Sequence, residues 1–254
     1  MKPCLAICNI FGQDAEILAS FACRHGFQGI DWSFDLNLSR EDFLRKMEML
    51  KGFEVRYHCF FQRIDLAYAD HRSEQAMDIF RGVVSLVSAA DGRHITIHIG
   101  LGQDSDKELD WQRGIDNLSS LVSFGYEHGV TVSLENITSA WTSDPELFKK
   151  LIEETGAGIT FDIGHAHVCQ KDLCGSYILP RRDRVFNAHI YHTENPQQVH
   201  IAPRSLEDIM GRLEFLRSIP SCDWWVIELM KPDEVLNTRD LLERYINLSE
   251  GNLD

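Results

Sequence analysis

Eight short apolar runs separated by helix-length amphipathic segments constrain this chain more than any other feature. They fall at residues 5–8, 29–34, 55–60, 95–99, 130–134, 159–163, 185–190 and 225–229. Strands that alternate with helices pair in parallel, because each connection has to cross a face of the sheet. Eight such units in 254 residues match the size of a closed (β/α)8 barrel, here a single α/β domain over 1–254. An open, doubly wound sheet is the other arrangement this order permits. The helical segments carry end signals. Ser39 with Asp42 resembles a capping box, Asp144-Pro145-Glu146 supplies a cap, a first-turn proline and a first-turn acid, and Gly26, Gly52, Gly92, Gly129 and Gly156 are expected to close helices.

The phase inside the runs is more specific. A barrel strand turns alternate residues to the helices and to the barrel interior. His94, Thr96 and His98 oppose Ile95, Ile97 and Ile99; Ser133 and Glu135 oppose Val132 and Leu134; Thr160 and Asp162 oppose Ile159, Phe161 and Ile163. Asn187 and His189 oppose Phe186, Ala188 and Ile190, and Trp224, Val226 and Glu228 oppose Trp225, Ile227 and Leu229. Each polar row ends in an ionisable group at the C-terminal end of its strand, where barrel enzymes keep their chemistry.

Closure of the barrel makes the last four strands neighbours, so Glu135, Asp162, His189 and Glu228 converge. Three carboxylates at about 4 Å repel by roughly 4 kcal/mol per pair at an effective dielectric near 20, which calls for protonation or for a cation. One divalent metal resolves the conflict. Three carboxylates and one imidazole form a mostly hard donor set that suits Mn²⁺, Mg²⁺ or Co²⁺, with Zn²⁺ also compatible.

Ser133-Leu134-Glu135-Asn136, Phe161-Asp162-Ile163-Gly164-His165, Ala188-His189-Ile190 and Ile227-Glu228-Leu229, with His58 and His98-Ile99-Gly100 upstream, share their order and spacing with a known pattern. Over nearly the whole chain the sequence resembles the xylose isomerase-like TIM barrels, a family of sugar phosphate isomerases and epimerases that extends to AP endonuclease family 2. The resemblance implies that Glu135, Asp162, His189 and Glu228 bind the metal, that Glu135 and Glu228 are the catalytic acid and base, and that His165 contacts substrate. It implies proton abstraction next to a carbonyl of a sugar or sugar phosphate through an enediolate, which a cation on two adjacent oxygens would stabilise. It also implies a homo-oligomer. Family members often place a substrate-binding arginine after the seventh strand. Arg204 falls there, although His200-Ile201-Ala202-Pro203-Arg204-Ser205 lacks the Pro-Gly-x-Gly turn of the family.

His58 and His98 share the inward phase and read as substrate contacts; in the endonuclease branch the matching histidines bind further metal ions. Trp32, Phe60 and Phe61 stand near strand ends, where aromatic rings offer an apolar wall to a sugar. His167 reads as a loop or helix residue, and Arg181-Arg182-Asp183-Arg184 as a solvated face. Substrate choice is assigned to the loops after the first four strands and to 170–184.

The net charge of −14 opposes a nucleic-acid partner. The endonuclease reading also needs an Asp-x-His pair where this chain has Gln198-Val199-His200, one ligand short. A dehydratase or other lyase with the same metal chemistry and a non-catalytic sugar-sensing barrel are the remaining alternatives. No run reaches the roughly 18 apolar residues of a membrane span, and the first residues do not read as a signal peptide, so a cytoplasmic location is expected. Seven cysteines without Cys-x-x-Cys spacing read as thiols packed in a reducing compartment, Cys59 beside His58 included.

Overall fold

The computed structural model describes residues 2–102, 106–169 and 177–249. Eight parallel strands close into a barrel: β1 (Cys4–Cys8), β2 (Gly29–Ser33), β3 (Glu54–Cys59), β4 (His94–Ile97), β5 (Thr131–Glu135), β6 (Gly158–Asp162), β7 (Val185–Ile190) and, after a hairpin, β10 (Trp224–Ile227). Their order around the barrel is β1-β10-β7-β6-β5-β4-β3-β2, and β1 closes the ring by pairing with both β2 and β10. Helices α1 (Ala15–Arg24), α2 (Arg40–Met49), α3 (Arg72–Ala89), α4 (Trp111–Glu127), α5 (Pro145–Thr155), α6 (Ile163–Cys169), α7 (Met210–Arg217) and α8 (Pro232–Ser249) make the connections. All eight apolar runs of the sequence are strands of this barrel.

The helix caps follow from the residues that precede each helix. Ser39 Oγ accepts the Asp42 N–H at 3.1 Å, and Asp144 Oδ1 accepts from Glu146 at 3.0 Å and Leu147 at 3.2 Å. Gly26, Gly52, Gly129 and Gly156 have positive φ. Gly92 does not. Asp91 takes the left-handed position with φ 59°, and Gly92 is needed for space, since a Cβ there would lie 2.5 Å from the Tyr57 ring and 2.7 Å from Val87 Cγ1.

The interior is layered. At its floor Trp224 fills the barrel so tightly that a Cβ on Gly29 would come within 2.2 Å of the indole, and the Arg56 guanidinium sits 4.4 Å over that ring. Above it lies a polar belt, with Thr96 and Thr160 hydroxyls 2.7 Å apart and Asn187 Nδ2 donating to Thr96 at 3.3 Å. The ionisable ends of the inner rows form the top. The outward rows, such as Ile30 with Trp32 and Ile95 with Ile97, pack in the layer between strands and helices.

Two features depart from the sequence expectation. Ile163 is the first residue of α6 and does not continue β6, because Asp162 Oδ1 accepts the His165 N–H at 2.7 Å and turns the chain into a helix at once. A short antiparallel hairpin, β8 (Thr193–Asn195) and β9 (Gln198–Ile201), follows β7, its turn held by Asn195 Oδ1 accepting from Gln197 at 2.9 Å and Gln198 at 3.0 Å. Of the segment 170–184 expected to select substrate, 170–176 lie outside the described residues, as does Cys174. Leu179–Arg184 form a 3-10 turn before β7, where Arg181 pairs with Glu153 and Arg184 Nη1 donates to Gly156 O at 2.8 Å. Among the described residues no helix is long and apolar enough to cross a membrane.

Candidate metal centre and active site

Glu135 and Asp162 end β5 and β6, His189 is next to last in β7, and Glu228 follows β10. All four are buried at the C-terminal mouth, and one ligand atom from each lies within 4.8 Å of the others. His189 Nδ1 stands at the middle, 3.2 Å from Glu135 Oε1, 3.1 Å from Glu228 Oε2 and 3.9 Å from Asp162 Oδ2. Asp162 Oδ2, Glu228 Oε2 and His189 Nδ1 are shut off from solvent, and their close contacts with one another and with His165 lack hydrogen-bond geometry. Each such orphan costs about 1–3 kcal/mol. Three of them facing one point, two oxygens and an imidazole nitrogen, fit a divalent cation held by Glu135, Asp162, His189 and Glu228.

Asn136 keeps this geometry. Its side chain donates to Asp162 O at 2.8 Å and accepts from Asp162 N at 2.8 Å, so it pairs with the end of β6 as another strand would. That clamp accounts for the Asn beside Glu135, to which sequence reasoning assigned no role.

The charges balance through histidines. Burial alone would raise the Glu135 and Glu228 carboxyls, but His189 above all, with His58 and His98 around Glu135 and His200 and His58 around Glu228, holds both well below the ordinary carboxylate range. Asp162 goes the other way, pushed up to about 7 by burial against the pull of His165. His58 and His165 are raised to about 10: burial opposes their charge, and the carboxylates of Glu135 and Glu228 for His58, and of Asp162 and Glu135 for His165, outweigh it.

Two further groups flank the centre. His58 Nε2 lies 3.1 Å from Glu135 Oε2 and 3.1 Å from His98 Nε2, and His98 Nε2 lies 3.0 Å from the same Glu135 oxygen. The Phe60 ring covers His98 at 5.1 Å and is 46% exposed, the apolar surface at this edge of the mouth. On the other side, His165 Nδ1 contacts Asn136 O at 2.9 Å, and its Nε2 lies 3.8 Å from Glu194 Oε2 on β8. His200, on β9 with φ 53°, stacks on Tyr191 at 4.3 Å and reaches Glu228 Oε2 at 4.0 Å. His165, Glu194 and His200 form a third group with ligand atoms within 4.8 Å.

The structure thus brings Glu135, Asp162, His189, Glu228, His58, His98 and His165 to one mouth. One expected substrate contact, Trp32, is corrected. Trp32 is 0% exposed and packs with Ile30 in the outer layer, because period two turns it away from the interior and turns Asp31 in. Arg204 is exposed beyond β9, its backbone N–H donating to Asp208 Oδ2 at 2.7 Å, and among the described residues no ion pair joins it to the cluster. Phe61 lies in the core against Phe80 at 5.5 Å, Cys59 is packed at 1% exposure, and His167 sits on α6 beside His192 at 5.5 Å. Asp31 and Glu194 had no assigned place, and His200 entered only as the histidine of the endonuclease pair. The phase of β2 gave a signal for Asp31, and the polar hairpin gave none for Glu194.

A family model described as xylose isomerase-like TIM barrel matches residues 19–243. The chain belongs to this family. Among curated proteins it is 27% identical over 183 residues to the uncharacterized protein MJ0008 of Methanocaldococcus jannaschii, spanning 70% of this chain and 77% of that one. Among solved structures it resembles a D-tagatose 3-epimerase-like protein, with TM-score 0.79 and 17% identity over 100% of both chains. It also resembles an AP endonuclease of family 2 from Brucella melitensis, with TM-score 0.73 and 15% identity over 96% of this chain and 99% of that one. At these identities the likeness to the two solved structures carries the xylose isomerase-like fold.

Proposed function

We propose that this chain is a divalent-metal-dependent isomerase or epimerase acting on a small sugar or sugar phosphate. The observation that carries the reading is the buried quartet Glu135, Asp162, His189 and Glu228, whose unpaired ligand atoms converge at the mouth of the barrel. A divalent cation held by Glu135, Asp162, His189 and Glu228 would neutralise the charge that develops on the substrate as the proton leaves. Glu135 and Glu228 do the proton work: one takes the proton next to the carbonyl and the other returns a proton to the opposite face, which gives epimerisation. Delivery to the neighbouring carbon gives isomerisation. Both carboxyls stay ionised among the histidines, as the base requires, and the one that returns a proton first takes it from protonated His58, whose nitrogens lie 3.1 Å from Glu135 Oε2 and 3.5 Å from Glu228 Oε1. His165 holds a substrate oxygen as a donor through Nε2, and Phe60 faces the apolar side of the ring.

The test is solvent exchange. Purified protein supplied with Mn²⁺ and a panel of ketoses in D₂O is expected to place deuterium on the carbon next to the carbonyl. Glu135→Gln and Glu228→Gln are each expected to cut this by about 10²-fold or more. Either variant with near wild-type kinetics on the true substrate rejects the assignment. Binding without exchange identifies a sensor, and exchange with loss of water identifies a lyase.

A second reading has its own support. The ligand missing for a three-metal hydrolase, at position 198 two residues before His200, has a counterpart in Glu194 across the hairpin, so the group of His165, Glu194 and His200 is one of four at the mouth able to hold a metal. Three ions per chain, together with incision of abasic DNA at physiological salt, would place the protein with the endonucleases. One ion per chain and no incision favour the isomerase.

A further inference from the structure

Asp31 stands beside the metal centre, within reach of His58 and His189. It belongs to the inward row of β2, is 1% exposed, and keeps Oδ1 buried without a hydrogen bond. Its register partner on β3, Arg56, is directed elsewhere: its guanidinium donates to Phe186 O at 3.0 Å, contacts Asn187 Oδ1, and pairs with Glu54 at 3.2 Å and Asp223 at 3.4 Å. Two donors remain within reach, since a carboxylate oxygen of Asp31 and a ring nitrogen from each of His58 and His189 lie within 4.8 Å of one another.

The two rings differ in what they have free. His58 has both nitrogens directed at other acceptors, Nε2 at Glu135 and His98 and Nδ1 at Glu228 Oε1, 3.5 Å away. His189 has Nδ1 turned to the carboxylates of the centre, while Nε2 is buried and unpartnered. A histidine that ligates a metal through one nitrogen nearly always gives its other N–H to a carboxylate, a carbonyl or a water, which fixes the tautomer and the ring orientation. Asp31 lacks a donor and His189 Nε2 lacks an acceptor. Burial leaves neither with bulk water to turn to.

We infer that Asp31 is a positioning residue of the metal centre: its carboxylate accepts a hydrogen bond from His189 Nε2–H, directly or through one water, and holds the ring with Nδ1 toward the cation. This rests on the metal-centre reading above. Asp31 touches neither substrate nor cation, so its effect appears in metal affinity and in the state of one ring proton.

The experiment loads the full-length protein, labelled with ¹⁵N in histidine, with Zn²⁺ and reads the His189 ring by long-range proton–nitrogen correlation, while calorimetry measures Zn²⁺ and Mn²⁺ affinity. In the wild type, Nδ1 is expected to be the metal-bound nitrogen and Nε2 to carry a slowly exchanging proton. Asp31→Ala is expected to lose about 10–100-fold in affinity and to speed exchange of that proton. Asp31→Asn keeps an acceptor oxygen and is expected to recover most of the affinity. Ligation through Nε2 in the wild type overturns the inference even if Asp31→Ala fails to fold. So does an Asp31→Ala protein within twofold of wild-type affinity with the Nε2 proton unchanged. A wild-type chain that binds neither ion overturns the metal-centre reading itself, whereas normal binding with an indifferent Asp31 overturns this inference alone.

Discussion

Gly164→Ala is a small change that should propagate from α6 to the hairpin. An added Cβ would lie 2.1 Å from Tyr191 Cε2, 2.3 Å from Cζ and 2.6 Å from Cδ2. Carbon pairs rest at about 3.5–4.0 Å, so the ring has to retreat by more than 1 Å, roughly, or the helix start has to move. Neither is free to do so. Tyr191 is 0% exposed and stacked on His200 at 4.3 Å, and the start of α6 is held by the bond from His165 N to Asp162 Oδ1 at 2.7 Å. Overpacking of this kind costs about 1–3 kcal/mol. For a chain of this length that lowers the melting temperature by about 2–12 °C. Gly211→Ala, in α7 with nothing within 4 Å of the added carbon, is the control and is expected to gain up to about 1 kcal/mol from helix propensity. Calorimetric melting of both variants and of Gly164→Ala/Tyr191→Leu checks the argument, because a smaller residue at 191 relieves the clash and makes the pair less costly than the sum of the singles. A Gly164→Ala protein melting within 1 °C, roughly, of wild type, or strictly additive singles, would refute the packing argument.

Mn²⁺ at about a hundred times its dissociation constant is expected to stabilise the chain by about 2.7 kcal/mol, a rise of roughly 5–10 °C in melting temperature that a chelator reverses; no shift with any divalent ion counts against the centre. His94 is buried, and burial, with Arg56 and His189 nearby, holds its pKa well below the ordinary value, so the folded chain keeps it neutral. Its contribution is complete above the unfolded pKa of about 6.5 and is lost as pH falls below it, because the unfolded chain takes up a proton that the native one refuses. Chemical denaturation at pH 8 and pH 5 is therefore expected to show about 2 kcal/mol less acid destabilisation in His94→Gln than in wild type. Arg212 donates to Ile163 O at 3.2 Å, to His192 O at 2.6 Å and to Asp208 O, tying α6, the β7 loop and α7 together. Arg212→Ala is expected to cost about 2–4 kcal/mol by urea unfolding, since it strands partly buried carbonyls, and a loss below about 0.5 kcal/mol contradicts this.

What was readable in advance depended on whether period and burial agreed. On β4 to β7 and on β10 every inward residue is polar or ionisable at the top and every outward one apolar, so phase alone put Glu135, Asp162, His189 and Glu228 together. Trp32 was misread because an aromatic ring near a strand end looks the same on either face until the phase of β2 is applied; Ile30 beside it marks the outward row. Ile163 is apolar and buried as a helix residue or a strand residue, so periodicity had no means of placing the end of β6. Glu194 and His200 lie on a hairpin without alternation, one strand of which carries exposed Val199. Only a turn closed by the Asn195 side chain brings them over the centre.

The same contrast bears on which reading of the site prevails. The barrel alone fixes the quartet, whereas His165, Glu194 and His200 meet through a helix start, a hairpin and the Tyr191 ring between them. If the third group is a working metal site, the Gly164→Ala clash should reduce the number of bound ions while leaving the quartet loaded, because the displaced ring moves His200 and leaves the ends of β5, β6 and β7 in place. If the quartet works alone, the same substitution should lower the melting temperature and leave the stoichiometry at one. Metal analysis of this single variant therefore separates a one-ion proton-transfer enzyme from a several-ion hydrolase without knowledge of the substrate.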